Sequence, residues 1–179
     1  MRALALALIL VTIGACDQQP AAPAGEQPPR ALILSAEGYG PVLVGMTISE
    51  AEAALGIGLL PGGALDPEAC ETYAPAPEAG HDGIRIMTQQ GRITRISDHG
   101  TVGVRTERAV GVGSTDTEVR AAYPNASEEP AKYDAPPAHS LTAWTVPDQS
   151  GLRFHVSAEG VVTEIAGGDE SILLVEGCS

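Results

Sequence analysis

Aromatic residues are scarce in this sequence, which has one Phe, one Trp and four Tyr among 179 residues. Stacking of nucleic-acid bases depends on aromatic side chains, and sugar-binding platforms need them too, so this scarcity disfavours both kinds of site. Basic residues are also few, ten against 23 acidic ones, and the formal net charge is −13. That charge argues against nucleic acid and anionic lipid as partners, and it permits a basic protein partner.

Catalytic motifs are lacking as well. No serine lies in a GxSxG elbow, and Gly111-Val112-Gly113-Ser114-Thr115 has neither the length nor the lysine of a phosphate loop. His81 and Asp82, with Asp66 and Glu68, lie in a Gly/Pro-rich stretch without metal-ligand spacing, so we interpret it as a solvated loop. We predict that the protein is not an enzyme and that it has no metal or cofactor.

A long apolar run occurs once, from Ala3 to Ile13, and it is too short for a membrane span of about 20 residues. Arg2 precedes the run and the small residues Gly14 and Ala15 follow it, which is the layout of a signal peptide. Residues 13–16 read Ile-Gly-Ala-Cys and resemble the bacterial lipobox. The resemblance implies that residues 1–15 are removed, that Cys16 is acylated, and that its acyl chains hold the protein in a membrane of the bacterial envelope, facing the periplasm or the exterior.

Residues 16–30 contain the acylated cysteine followed by a stretch rich in Pro, Ala and Gln with little to bury. We predict a tether there and a single folded domain over residues 31–179. Loss of Arg2 with the signal peptide would lower the formal net charge by one, from −13 to −14.

The remaining cysteines, Cys70 and Cys178, form an even pair in a compartment that is expected to be oxidising. We predict a disulfide between them. Neither is part of a CxxC motif, so redox catalysis is not expected.

An internal repeat is the most informative feature. Gly45 to Leu55 lines up with Gly113 to Tyr123 at an offset of 68 positions, and Gly83-Ile84-Arg85-Ile86 lines up with Gly151-Leu152-Arg153-Phe154 at the same offset. With one inserted residue, the segment from Gly91 to Ile96 also matches the segment from Gly160 to Ile165. These matches predict a duplicated unit, with repeats at about 38–98 and 105–167.

Each repeat has a helix start with a capping box. Thr47 with Glu50, and Thr115 with Glu118, have the spacing in which threonine caps the helix and glutamate returns to the threonine amide. The helices are expected to end at Gly56 and Pro124.

Short apolar runs flank these helices and predict strands. They are 42–44, 84–87 and 93–96 in the first repeat, then 109–112, 141–146, 152–156, 161–165 and 172–175. Gln89-Gln90-Gly91 predicts a hairpin turn. The pattern predicts an α+β fold in which an antiparallel sheet has both short helices on one face.

A strand that runs into Gly45-Met46-Thr47 and Glu50-Ala51, then a short helix and a hairpin, resembles the superfold of β-lactamase inhibitory proteins and SmpA/OmlA outer-membrane assembly lipoproteins. In that group paired units form one concave sheet that binds another protein. The resemblance covers both repeats, about residues 38–167, and implies a non-enzymatic interaction or assembly-accessory module for another envelope protein. The alternative it implies is an inhibitor of a secreted or periplasmic enzyme of the lysozyme or β-lactamase type.

Two further features bear on a binding surface. Trp144, the single tryptophan, is expected in the core, with an exposed binding role as the alternative. Acidic residues group at Asp66 and Glu68, at Glu128 and Glu129, at Asp134, and at Asp169 and Glu170. If these groups surround a binding face, they would steer a basic partner, whereas a merely solvated acidic surface is the other interpretation.

Overall fold

The computed structural model describes residues 32–101, 103–147 and 149–178. It contains a three-stranded and an eight-stranded antiparallel sheet with two short α-helices, so the predicted α+β class is confirmed. In chain order the elements are β1 (Leu34–Ser35), β2 (Gly38–Tyr39), β3 (Val42–Leu43), α1 (Ile48–Leu55), β4 (Leu59–Pro61), β5 (Cys70–Pro75), β6 (Ile84–Gln89), β7 (Arg92–Asp98), α2 (Asp116–Ala122), β8 (Ser127–Pro130), β9 (His139–Val146), β10 (Ser150–Val156) and β11 (Val162–Gly168), with 3₁₀ turns at Pro77–Ala79 and Glu170–Leu173.

The large sheet has the strand order β4-β5-β6-β7-β11-β10-β9-β8, and each strand is antiparallel to its neighbours. Strands β4 to β7 therefore follow one another across one half, and β8 to β11 follow one another across the other. The two halves join in the middle, where Ser97 of β7 pairs with Ala166 of β11.

Both helices begin as predicted. The Thr47 hydroxyl accepts a hydrogen bond from the Glu50 amide at 3.3 Å, and the Glu50 carboxylate accepts one from the Thr47 amide at 2.8 Å. The corresponding distances for Thr115 and Glu118 are 3.3 and 2.7 Å. Hydrogen bonds from the threonine backbone and side chain lower the pKa of Glu50 and of Glu118 below the usual range. The two capping boxes are confirmed.

The predicted β6–β7 hairpin is also confirmed. Gln90 and Gly91 form its turn with φ angles of 51° and 71°, as expected for a two-residue turn that matches the twist of the strands. Later in the chain, the apolar runs predicted as strands lie in β9, β10 and β11, although the last strand begins at Val162.

Two predicted strands are wrong. The chain over 109–112 forms a turn because Ala109 has a φ of 62° and Thr106 donates its amide to the Val110 carbonyl. The run 172–175 is not a strand either, since residues Glu170–Leu173 form a 3₁₀ turn that the Asp169 side chain caps. In addition, β3 belongs to the small sheet and not to the large one.

Alternation along the strands gives the large sheet two different faces. On the core face, Ile84, Ile86, Ile96, Phe154 and Ile165 are fully buried in one hydrophobic cluster. That cluster also contains Ala51 of α1 and Val119 of α2, which explains how such short helices are held in place. In the described part of the chain, no helix has the length and apolar content needed to cross a bilayer.

The small sheet packs on the core face as well. A Cβ atom at Gly167 of β11 would lie 2.1 Å from the Ser35 carbonyl oxygen, so only glycine allows β1 to approach this closely. Gly167 pairs with Ile96 and Leu152, both of which belong to the core cluster. The chain therefore enters the described domain on the core face, at Leu32.

Candidate functional site

The other face of the large sheet, which we call the open face, has polar side chains at its centre. Arg85 is exposed between the buried residues Ile84 and Ile86, and Arg153 alternates in the same way with Leu152 and Phe154. Arg95, His155, Glu164 and Ala166 lie beside them on the same face. These residues form the floor of a cleft of about 420 Å³, within the usual size of ligand pockets.

Two chain segments form the walls of this cleft. One is the loop between β8 and β9, with Lys132, Tyr133 and Asp134, and the other is the C-terminal segment 172–177. Tyr133 is 64% exposed, and Leu173, Leu174 and Val175 are between 40% and 52% exposed. Four sizeable apolar side chains thus surround a polar floor, an arrangement typical of interaction sites.

Each guanidinium group on the floor donates hydrogen bonds to described residues through its Nη1 atom. Arg153 donates from Nη1 to the Thr142 hydroxyl at 2.8 Å and to Glu129 Oε2 at 3.0 Å. Arg95 donates from Nη1 to the carbonyls of Ser171 and Leu174, and burial lowers the pKa of the Arg95 guanidinium. Arg85 donates from Nη1 to the carbonyls of Asp82 and Ile84.

Contacts between polar side chains position the walls. The loop is attached to the floor by Asp134, whose Oδ2 lies 2.8 Å from His155 Nε2. It also approaches the C-terminal segment, because Lys132 Nζ lies 3.5 Å from Glu176 Oε1. Both pairs are exposed to solvent, so each contributes little to stability and exchanges easily.

The disulfide fixes the second wall. Cys70 of β5 and Cys178 are bonded, with an S–S distance of 2.05 Å and a Cα–Cα distance of 5.3 Å, as the sequence predicted. The Thr72 hydroxyl lies 3.7 Å from the Cys178 sulfur. The bond fastens the end of the C-terminal segment across the open face, where Arg95 holds its beginning.

The other residues predicted as sites do not meet at the cleft. Thr47, Glu50, Thr115 and Glu118 cap the helices and do not line it. Cys16, the predicted signal peptide 1–15 and the predicted tether 16–30 lie outside the described residues. His81 contacts the Tyr39 hydroxyl at 2.8 Å through Nδ1, and the described ranges contain no group of three His, Cys, Asp or Glu residues that could hold a metal ion.

Trp144 is not in the core, and that prediction is wrong. Its side chain is half-buried on the open face, next to Gly151, where a Cβ atom would lie 2.8 Å from the ring. The physical reason is the alternation of β9, in which Leu141 takes the core position, so that Thr142 and Trp144 lie on the opposite face.

A polar network connects α2 with the edge of the sheet. Asp116 accepts hydrogen bonds from Arg120 at 2.9 Å and contacts His139 Nε2 at 3.0 Å, while Arg120 also pairs with Glu128. Partial burial acts to raise the pKa of Asp116, but the bonds from Arg120 and His139 outweigh it and lower that pKa. Burial acts to lower the pKa of His139, but its bonds with the Pro137 carbonyl and Asp116 outweigh it and raise that pKa.

The floor arginines were not identified from the sequence, although a signal was present. Arg85 and Arg153 occupy equivalent positions in the repeat, at the offset of 68, and each interrupts an apolar strand. A basic residue at the outward position of two equivalent strands predicts a shared surface once the pairing of the strands is known.

No protein-family model matches the chain, and no curated protein or solved structure is significantly similar to it. The function is therefore inferred from the fold and the cleft.

Proposed function

We propose that the protein is a non-enzymatic, lipid-anchored protein of the bacterial envelope that binds another protein through the cleft on its open face. The observation that carries this proposal is the set of exposed apolar side chains, Tyr133 and Leu173 to Val175, around a floor of arginines. Aromatic and arginine side chains are enriched at protein interfaces. The lipobox at residues 13–16 supports the membrane anchor.

We infer that the domain is a tandem duplication. Gly45 donates its amide to Ile93 at 2.7 Å, and Ile93 donates to Met46 at 2.8 Å. In the second half, Gly113 donates to Val162 at 2.9 Å, and Val162 donates to Ser114 at 2.8 Å. These are the residues that the sequence repeat aligns, and the mirrored strand order around β7 and β11 further supports two equivalent units and a likeness to the two-repeat superfold.

The position of the first described residue supports a role in binding. The described chain begins on the core face at Leu32, whereas the cleft lies on the open face. A membrane anchor that joins the domain on its core face would leave the cleft on the opposite face accessible to a partner. The disulfide supports an oxidising compartment.

Site-specific photo-crosslinking in the cells that make the protein tests this proposal. A photoreactive amino acid in place of Tyr133 should crosslink one envelope protein, because the side chain at this position lies at the mouth of the cleft. The control is the same amino acid in place of Leu65, which is fully exposed but does not line the cleft. Equal crosslinking from both positions, or none from Tyr133, would contradict the proposal.

The identity of the crosslinked partner separates the two kinds of binding protein. A resident envelope protein supports the accessory role. A soluble secreted enzyme, such as a lysozyme or a β-lactamase, would support the inhibitor role, which inhibition of that purified enzyme would then have to reproduce.

A further inference from the structure

The cleft has a local charge that differs from that of the whole protein. Apart from Arg2 and Arg30, which lie outside the described residues, the chain has eight basic side chains, and four of them line the cleft: Arg85, Arg95, Lys132 and Arg153. The acidic lining residues are Glu129, Asp134, Glu164 and Glu176. Three of those four belong to the walls or the edge strand, whereas three of the four cations belong to the floor.

The floor arginines have hydrogen-bond donors that no described residue uses. A guanidinium has five N–H donors, yet all hydrogen bonds of Arg85, Arg95 and Arg153 to described residues leave from Nη1. No described residue accepts a hydrogen bond from the Nη2 or Nε atoms of Arg95 and Arg153. The edge formed by Nε and Nη2 can bind a carboxylate with two parallel hydrogen bonds.

The described residues do not supply a counter-charge to every floor arginine. Within the described ranges, neither Arg85 nor Arg95 has a carboxylate within 4.0 Å, and Glu164 acts on Arg95 only from a longer distance. Both guanidinium groups donate here to backbone carbonyls, and a hydrogen bond from such a cation to a carboxylate is stronger than one to a neutral acceptor. Arg153 is paired, but its partner Glu129 is 59% exposed, so an incoming carboxylate can replace it at little cost.

The sheet brings these arginines together. Arg85 pairs with Ser97, Ser97 with Ala166, and Ala166 with Arg153, so the two arginines lie in one row across four strands. With about 4.8 Å between neighbouring strands, their Cα atoms are about 14 Å apart, within reach of two arginine side chains that bind one segment. Arg95 lies two residues from Ser97 on β7. The side chains between Arg85 and Arg153 in the row, Ser97 and Ala166, are small and leave space for a bound segment.

We propose that the cleft binds an acidic segment of a partner protein, in which a carboxylate contacts the floor arginines and a neighbouring apolar side chain packs against Tyr133 and the Leu173–Val175 wall. This inference rests on the proposed function and specifies its partner. It departs from the expectation of a basic partner, which followed from net charge alone. Net charge governs encounter at long range, whereas the floor of the cleft determines what fits at contact.

Selection from a random heptapeptide library on the full-length protein in detergent micelles tests the proposal while the partner is still unidentified. The peptides recovered should be enriched in Asp and Glu next to apolar residues. A selected peptide, labelled with a dye, should bind at least tenfold more weakly when its acidic residues are replaced by amides, as measured by fluorescence anisotropy. Binding should also weaken between low and physiological salt.

Variants connect this binding to the floor. The double variant Arg85→Gln with Arg153→Gln should bind the selected peptide at least tenfold more weakly than the parent protein. Arg92→Gln should bind it with unchanged affinity, because Arg92 is exposed and does not line the cleft. Circular dichroism checks that the variants fold. If the double variant does not fold, Arg85→Gln alone decides, since this side chain is exposed and bonds only to backbone carbonyls among the described residues.

Three outcomes overturn the proposal: no recovered peptides, recovered peptides without acidic enrichment, or acidic peptides that bind the arginine variants as well as the parent protein. Binding of inorganic phosphate with no binding of peptides would also overturn it, because it would define a small-anion site. Crosslinking from position 133 in cells is read separately. If a partner is crosslinked but the peptide selection fails, the proposed function is retained, and only the proposal that the cleft binds an acidic segment is rejected.

Discussion

Thr47 and Thr115 show how much a single side chain contributes when a helix is short. Each hydroxyl satisfies an amide at the start of a helix of eight or seven residues, a length at which an isolated helix is unstable in water. We predict that Thr47→Ala and Thr115→Ala each lower the free energy of unfolding by about 0.5–2 kcal/mol in urea titrations. Thr117→Ala, at an exposed position inside α2, is the control and should be neutral or slightly stabilising.

The pair of Asp116 and His139 predicts a pH dependence. The raised pKa of His139 stabilises the fold fully below the unfolded value of about 6.5, and this contribution is lost as the pH rises through the folded pKa. The lowered pKa of Asp116 stabilises the fold at pH values above the pKa of this residue in the unfolded chain. This stabilisation is lost as the pH falls through the pKa in the folded protein. Urea unfolding should therefore show His139→Gln to be destabilised at pH 5.5 by up to about 1 kcal/mol, and by less at pH 8.5.

His99→Gln is the matched control for this prediction, because His99 lies 3.9 Å from Glu164 with both side chains substantially exposed. It should retain the pH dependence of the parent protein. An equal loss of stability at both pH values for His139→Gln would mean that packing, and not charge, accounts for its effect.

At the scale of secondary structure, the sequence predicted what local chemistry determines. The capping boxes at Thr47 and Thr115, and the turn at Gln90-Gly91, are encoded within a few residues, and the structure contains all of them. The strands β5 and β8 were missed because their sequences, CETYAP and SEEP, include proline and acidic residues and have no apolar alternation. These two strands form because they pair with β6 and β9, and their own sequences do not reveal that pairing.

The wrongly predicted strand at 172–175 has an explanation at the same scale. Its apolar residues do not pair with another strand, because the Asp169 side chain caps a 3₁₀ turn and Arg95 takes up the Ser171 and Leu174 carbonyls. The segment becomes a wall of the cleft instead. Apolar composition alone does not distinguish a segment that pairs as a strand from one that forms the wall of a cleft.

The disulfide should be important mainly for this C-terminal segment. Cys70→Ala with Cys178→Ala removes a crosslink between residues 108 positions apart, and we predict a loss of about 2–5 kcal/mol in the free energy of unfolding. Limited proteolysis should then cut first within 172–178. Thiol alkylation of the denatured parent protein should label neither Cys70 nor Cys178 before reduction, and labelling of both in fresh protein would contradict the bridge.

For the whole molecule, the offset of 68 indicated a repeat but not how the two units meet. The cleft exists because β7 pairs with β11, which brings Arg85, Arg95 and Arg153 onto one face. This pairing joins residues far apart in the chain, and no periodicity in the sequence specifies it. The net charge of −13 therefore led to a basic partner, whereas the assembled surface favours an acidic one.

The anchor and the cleft should be separable in the intact protein, because Cys16 precedes the described domain and the floor arginines lie on its open face. Cys16→Ser should leave the precursor uncleaved and abolish labelling by a fatty-acid analogue, while the purified variant still binds a selected acidic peptide. Arg85→Gln with Arg153→Gln should do the reverse, retaining the acyl label and losing crosslinks from position 133. Acyl label that persists in Cys16→Ser would refute the anchor. Loss of peptide binding in Cys16→Ser would mean that the cleft depends on acylation.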